Sequence, residues 1–326
     1  MNDNAFFPPF SPPLWSRNPH LQSIFASLRF RAPGKNEMAA RAREIILDGG
    51  NGVRLLGYYS AQADKKPKAL VLIIHGWEGS SDSTYVLSTG RSLYRRGCDV
   101  IRLNLRDHGP SHHLNEGFFH GALIEETATA VQNAAGLAPY LPFFVVGFSL
   151  GGNFGMRIAL RRNGAPFGNL RHVICISPVI DPYSSTLAMD RLPLYRYYFL
   201  KKWKRSLRRK QQCFPGLYRF DDLLGIDNTL DLTNHIIARY SDFDGHRDYF
   251  SRYTLRGDGL EDLAVPVTVV TSRDDPVIPV EDFSSLEGNP YLRISIQRWG
   301  GHCGFLDPFP LVSWYEEGII NRIVDS

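Results

Sequence analysis

Ser149 stands in Gly147-Phe148-Ser149-Leu150-Gly151, a G-x-S-x-G pattern preceded by Leu-Pro-Phe-Phe-Val-Val and followed by Gly-Asn-Phe-Gly-Met-Arg-Ile-Ala-Leu. An apolar strand running into a helix is the setting in which this serine can be a nucleophile. It then occupies a sharp, strained turn, and the flanking glycines let neighbouring backbone approach where a Cβ would clash. Without those flanks the motif reads as an ordinary strand, turn and helix around a buried serine. A serine hydroxyl is a weak nucleophile at neutral pH, so the chemistry needs a base, and the base needs an acid to orient it. His302 is the candidate base, in Trp299-Gly300-Gly301-His302-Cys303-Gly304-Phe305. Two candidate acids, Asp274 and Asp275, lie in Thr271-Ser272-Arg273-Asp274-Asp275-Pro276-Val277-Ile278-Pro279. The tetrahedral intermediate of acyl transfer also needs donors for its oxyanion. Leu150 N–H is one candidate, and Trp77 N–H, in His75-Gly76-Trp77-Glu78-Gly79, is the other. His75 reads as a structural loop residue.

Those residues need elements to hold them. From about Arg43 the chain turns to short β-rich runs, 44–47 and then from Val53, with Asp-Gly-Gly-Asn-Gly between them as a hairpin signal. Apolar runs at 69–74, 100–105, 143–146, 173–176, 267–270 and 292–296 follow. They alternate with helical patterns at 83–96, 122–135 and 150–162, and a final helix is expected near 310–323. Near-continuous apolar strands belong in a parallel sheet covered on both faces. The reading is an eight-stranded sheet whose last six strands are parallel, with helices on both faces: an α/β-hydrolase fold in one domain, 1–326. Ser149, the aspartates and His302 come in the chain order of that fold, each after a strand. The D-x-x-x-P pattern of the fold favours Asp275, four residues before Pro279, and leaves Asp274 as a loop or supporting group.

Two segments fall outside the alternation. Residues 1–42 read as an extended, proline-interrupted arm. Residues 181–262 carry Tyr, Arg and Leu in helical patterns and read as an inserted helical cap. The stretch Tyr195 to Lys210 is basic and aromatic. It is either a solvated helix face with aromatic anchors on the core, or an interfacial helix making peripheral contact with anionic lipid. Arg106-Asp107-His108-Gly109-Pro110-Ser111-His112-His113 gathers imidazoles and a carboxylate, but adjacent loop histidines diverge and no H-E-x-x-H spacing is present. It is read as a loop framing the site, with no metal assigned.

With these motifs in place the chain resembles the YheT-like α/β hydrolases, related to eukaryotic abhydrolase-domain esterases and lipases. The resemblance runs from Asn18-Pro19-His20-Leu21-Gln22 through His75-Gly76-Trp77-Glu78-Gly79, Asn104-Leu105-Arg106, Gly147 to Asn153, and Asp274-Asp275-Pro276 to Gly300 through Phe305. It implies a Ser-His-Asp carboxylesterase acting on short- or medium-chain acyl esters, without metal or organic cofactor. The chain departs from the group's pattern at Arg-Asp-His-Gly-Pro-Ser, which stands where Arg-Gly-Cys or Arg-Gly-His is usual, so the pocket near Asp107 is expected to differ.

Composition narrows the alternatives. The 326 residues, 43% hydrophobic and 21% charged, can bury a sizeable core, and a formal charge of +4 calls for no nucleic-acid partner. Four cysteines without regular spacing argue against a disulfide framework or a structural zinc site. The N-terminus lacks the basic and apolar regions of a signal peptide, and no run approaches the roughly 18 apolar residues of a membrane span. A cytoplasmic protein with a small-molecule acyl ester as its partner is expected. The competing readings are thioester or amide hydrolysis by the same triad, or a binding protein that keeps the fold without catalysis.

Overall fold

In the computed structural model the described residues are 7–28, 36–63, 66–160, 168–255, 260, 262–286, 289–308 and 311–324. The arm is more helical than its prolines suggest. It holds α1 (Pro19–Ser27), capped by the Asn18 side chain with Pro19 in the first turn, and the short α2 (Glu37–Ala40). Proline at the start of a helix loses no hydrogen bond, so there it starts a helix.

An antiparallel hairpin, β1 (Arg43–Gly50) and β2 (Val53–Ser60), opens the sheet, with Gly50, Asn51 and Gly52 all at positive φ in its turn. Then come β3 (Leu70–Ile74), α3 (Thr84–Arg95), β4 (Asp99–Leu103), α4 (Ile124–Gly136), β5 (Phe143–Phe148), α5 (Leu150–Ala159) and β6 (Leu170–Ile176). Between β6 and the next strand lie α6 (Pro182–Arg191), α7 (Pro193–Cys213), α8 (Thr229–Tyr240) and α9 (Gly245–Ser251), and no strand among the described residues. The sheet resumes with β7 (Val267–Ser272) and β8 (Leu292–Gln297). Its order is β1-β2-β4-β3-β5-β6-β7-β8, and β3 to β8 are mutually parallel.

Most boundaries shift by a few residues, and the end of the chain departs from the sequence reading in kind. Leu311–Ser313 is not helical but pairs with Leu306–Pro308 as a small hairpin, β9 and β10, and the last helix, α10, spans Tyr315–Val324. The expected helix ends at Pro310 and at Arg162 lie outside the described residues.

The strand alternation explains the layers. Leu70, Leu72 and Ile74 of β3 pack with Ala128, Val131 and Phe154 from α4 and α5 on one face. Val71 and Ile73 pack with Val86, Leu93, Ile319 and Ile323 from α3 and α10 on the other. Successive strand residues point to opposite faces, so a strand apolar at every position must be covered twice. All of β3 is buried, each such side chain contributing about 1.5–3 kcal/mol relative to exposure. The helices between β6 and β7 have a smaller core of their own around Leu200, Leu207, Phe220, Leu232 and Ile236.

Candidate active site

Ser149 sits at the junction of β5 and α5 with φ 52° and ψ −118°, a conformation costing about 1–3 kcal/mol. The junction holds because everything around it is satisfied and small. Ser149 N–H donates to the Ile176 carbonyl at 2.9 Å, and the Ser149 carbonyl accepts from Asn153 N–H and Val179 N–H. A Cβ at Gly147 would run into the Gly151 carbonyl, and one at Gly151 into the Ile74 carbonyl. The motif's glycines are thus demanded by close backbone approach.

His302 arrives on the loop after β8. Its Nε2 lies 3.0 Å from Ser149 Oγ and its Nδ1 3.0 Å from Asp275 Oδ2. Asp275 is fully covered, and its Oδ1 accepts from Val277 N–H at 2.8 Å and Ile278 N–H at 3.0 Å, so the turn after β7 holds the carboxylate in place. Asp274 takes a different place. Its Oδ1 accepts from Gly301 N–H at 3.0 Å, tying the β7 loop to the backbone beside His302. Burial raises the Asp274 pKa above the usual carboxylate value. For His302, burial works against the cation, but Asp275 and, beside it, Cys303 together outweigh it by charge and hydrogen bonding and raise the imidazole well above 6.5.

Trp77 lies in the loop after β3, flanked by amides that are already engaged. Gly76 N–H donates to the Tyr85 hydroxyl at 3.0 Å and Glu78 N–H to His108 Nε2 at 3.1 Å. Among the described residues, neither Trp77 N–H nor Leu150 N–H donates to a protein acceptor. Leu150 opens α5, where helix-end amides are unpaired and the dipole favours an anion. His75 is fully buried. Its Nδ1 lies 2.7 Å from the Gly76 carbonyl and its Nε2 accepts from Leu105 N–H, a structural arrangement in which burial lowers its pKa to about 4.

The histidine-rich loop after β4 does not converge on a point. His108 supports Glu78 as above, and His112 Nε2 is 2.8 Å from Ser206 Oγ on α7. Asp107, where the sequence departs from the related group's pattern, accepts from Lys210 Nζ of α7 at 2.9 Å and from Phe119 N–H at 2.8 Å. Lys210 also donates to the Asn115 and Gly117 carbonyls. The departure thus coincides with an ion pair that ties the helices inserted after β6 to the sheet domain.

Several supporting residues carry no obvious sequence signal. His302 N–H donates to Ser23 Oγ on α1 at 2.8 Å, and Cys303 N–H to Ser177 Oγ at 3.2 Å. Gln22 accepts from Leu306 N–H and donates to the Ser16 carbonyl. Gln22 belongs to a motif read in the sequence, but nothing there shows that it faces a loop far along the chain.

A cavity of about 110 Å³ reaches Ser149 and Leu150, walled by Trp77, Phe119, Val179, Met189, Phe199 and Ile236 among others. It is predominantly apolar. A more open groove of about 600 Å³, lined by Asp181, Glu281 and Asp282 among others, does not include Ser149.

Residues 71–314 match the family described as the alpha/beta hydrolase family. An abhydrolase domain-containing protein of Dictyostelium discoideum is 22% identical over 325 residues, covering 96% of this chain and 80% of its own. The YheT protein of Escherichia coli is 23% identical over 250 residues, covering 76% of this chain and 72% of that one. Among solved structures, the esterase Pf2001 of Pyrococcus furiosus aligns with a TM-score of 0.57 at 16% identity, over 89% of this chain and 96% of that one, a likeness of fold. With its parallel sheet, its strand-to-helix serine turn and these relatives, the chain belongs to the alpha/beta hydrolase family, in the YheT-like group of hydrolases.

Proposed function

We propose that the chain is a serine carboxylic-ester hydrolase acting on short- or medium-chain acyl esters, with Ser149 as nucleophile, His302 as general base and Asp275 as the orienting acid. The observation that supports this most strongly is the unbroken hydrogen-bonded line from Ser149 Oγ through both ring nitrogens of His302 to Asp275, beside an apolar cavity.

In this reading the ester carbonyl lies over Ser149 with its acyl chain in the cavity. His302 Nε2 takes the hydroxyl proton as Ser149 Oγ bonds to the carbonyl carbon, and the oxyanion forms between Trp77 N–H and Leu150 N–H. The imidazolium then gives its proton to the leaving alcohol, and the carbonyl re-forms as an acyl-enzyme. Water, activated by the same imidazole, releases the acid and restores Ser149. Asp275 holds Nδ1–H and stabilises the imidazolium.

The test is hydrolysis of p-nitrophenyl esters of graded chain length by wild type, Ser149→Ala, Asp275→Asn and Asp274→Asn. Ser149→Ala is expected to be inactive, and Asp275→Asn to lose about 10⁴-fold in kcat, as removal of the orienting carboxylate does in established triads. Asp274→Asn should lose far less. Undiminished turnover in Ser149→Ala, or equal losses in the two aspartate variants, would overturn the assignment.

A further inference from the structure

α7 has two opposed faces. On the inner side Tyr195, Phe199, Leu200, Trp203, Ser206, Leu207 and Lys210 recur at helical spacing and meet the protein. Phe199 stacks on Trp77 at 5.6 Å between ring centroids, and Trp203 meets the same indole edge-on at 5.2 Å. The outer side divides along its length. Its first turns expose Leu194 (58%), Tyr197 (65%) and Tyr198 (43%), and further along it carries Lys201, Arg205, Arg208 and Arg209, all exposed. The 21-residue helix contains no acidic side chain. Among the described residues none of these four cations forms an ion pair; Lys201 lies over the Tyr197 ring at 5.7 Å. The apolar tip does not stand alone. The Tyr195 hydroxyl is 3.1 Å from His20 Nδ1 of α1, and the next residue of the arm, Leu21, is exposed (39%). The same α1 receives His302 N–H on Ser23, so the helix that meets Tyr195 also supports the proposed catalytic histidine.

We propose that the outer face of α7, with Leu21 of α1, docks the protein on an anionic lipid bilayer, the basic residues against the head groups and Leu194, Tyr197 and Tyr198 in the interface. Aromatic and aliphatic side chains at one end of a cationic helix suit a surface with charge outside and hydrocarbon beneath. A polyanion without an apolar layer would use the cations and leave Leu194 and Leu21 in water. The inference deepens the esterase reading, because docking would bring the Ser149 cavity to acyl esters dispersed in the membrane.

The experiment is co-sedimentation of the full-length protein with vesicles of pure phosphatidylcholine and of phosphatidylcholine with phosphatidylglycerol in equal parts, at low and high salt. Binding is expected to the anionic vesicles, to weaken with salt, and to be far weaker on the neutral ones. Juxtamembrane basic residues each contribute measurably near an anionic surface, so Lys201→Glu/Arg205→Glu/Arg208→Glu should bind at least about 100-fold more weakly. Tyr197→Ser/Tyr198→Ser should also bind less while keeping the salt dependence. Both variants should hydrolyse a soluble p-nitrophenyl ester like wild type, and Ser149→Ala should bind vesicles like wild type. Equal binding to both vesicle types, no binding, or wild-type binding by the triple variant would overturn the proposal. So would capture of double-stranded DNA with the vesicles left unbound. Loss of the esterase reading would show separately, as ester turnover that survives Ser149→Ala.

Discussion

The imidazole of His302 has two opposing influences on it, and the pH response follows from which one prevails. Burial disfavours its cation, yet the facing Asp275 carboxylate, with Cys303 adding to it, raises its pKa well above 6.5. As the proposed base it must be neutral, so kcat/KM on an uncharged ester is expected to fall as pH drops through that raised value. The acidic limb should therefore lie above pH 6.5, and in Asp275→Asn the limb should move to lower pH; an unmoved limb would count against the pairing. The stability contribution has the opposite sense. A raised folded-state pKa adds stability that is fully present below about pH 6.5 and is lost as pH rises through the folded value. His108 acts one residue away from Trp77, the proposed oxyanion donor. Burial lowers its pKa well below 6.5, so it stays neutral, with Nδ1–H donating to the Arg106 carbonyl and Nε2 accepting from Glu78 N–H. His108→Ala frees the Glu78 amide and loosens the Trp77 loop. The expected result is a drop in kcat of about 100-fold with KM nearly unchanged, read from steady-state kinetics. A rise in KM alone would remove His108 from this role.

Among the elements, the parallel strands were the most legible, because Ala69 to Ile74 and Phe143 to Val146 are apolar at every position and only a doubly covered sheet satisfies that pattern. The β9–β10 hairpin was not legible. Its strands are three residues each, too short to show alternation. The union of α7 with the loop after β4 was equally hidden, since Lys210 and Asp107 lie far apart in the chain and each would ordinarily be read as exposed. Lys210 is 2% exposed, and burial pushes the Asp107 carboxyl up to about 6 despite the Lys210 charge beside it. That raised value means the Asp107 contribution to stability is present below about pH 3.8 and lost as pH rises through about 6. Lys210→Met would leave a buried carboxylate without its cation, and is expected to cost about 3–5 kcal/mol in urea unfolding at neutral pH. Adding Asp107→Asn should recover much of that loss. No recovery would mean that the pair does not carry the coupling between the two regions.

At the scale of the whole molecule, the arm is what joins the ends of the chain at the site. Gln22, 2% exposed, satisfies both polar groups of Leu306, and Phe10 N–H donates to Gln297 Oε1 while its ring packs on Phe305 and Trp314. Gln22→Ala would strand buried backbone groups and is expected to destabilise by about 1–3 kcal/mol in thermal unfolding. Because the same contacts hold the His302 loop, ester turnover should fall well below the melting temperature; full activity there would make the arm a passive cover. Among the described residues no helix is long and apolar enough to cross a membrane. The residues that the sequence by itself could nominate were those bound to local chain geometry: a serine between glycines at a strand end, and a histidine in a glycine-rich loop. Periodicity and close backbone approach are local constraints, and they leave their mark on neighbouring residue types. What only the tertiary structure decided was which distant groups meet, among them which of the two nominated aspartates faces His302, Ser23 beneath that histidine's amide, and Lys210 on Asp107. Pairing across the chain depends on three-dimensional packing, which imposes no periodic signature on the residues it joins.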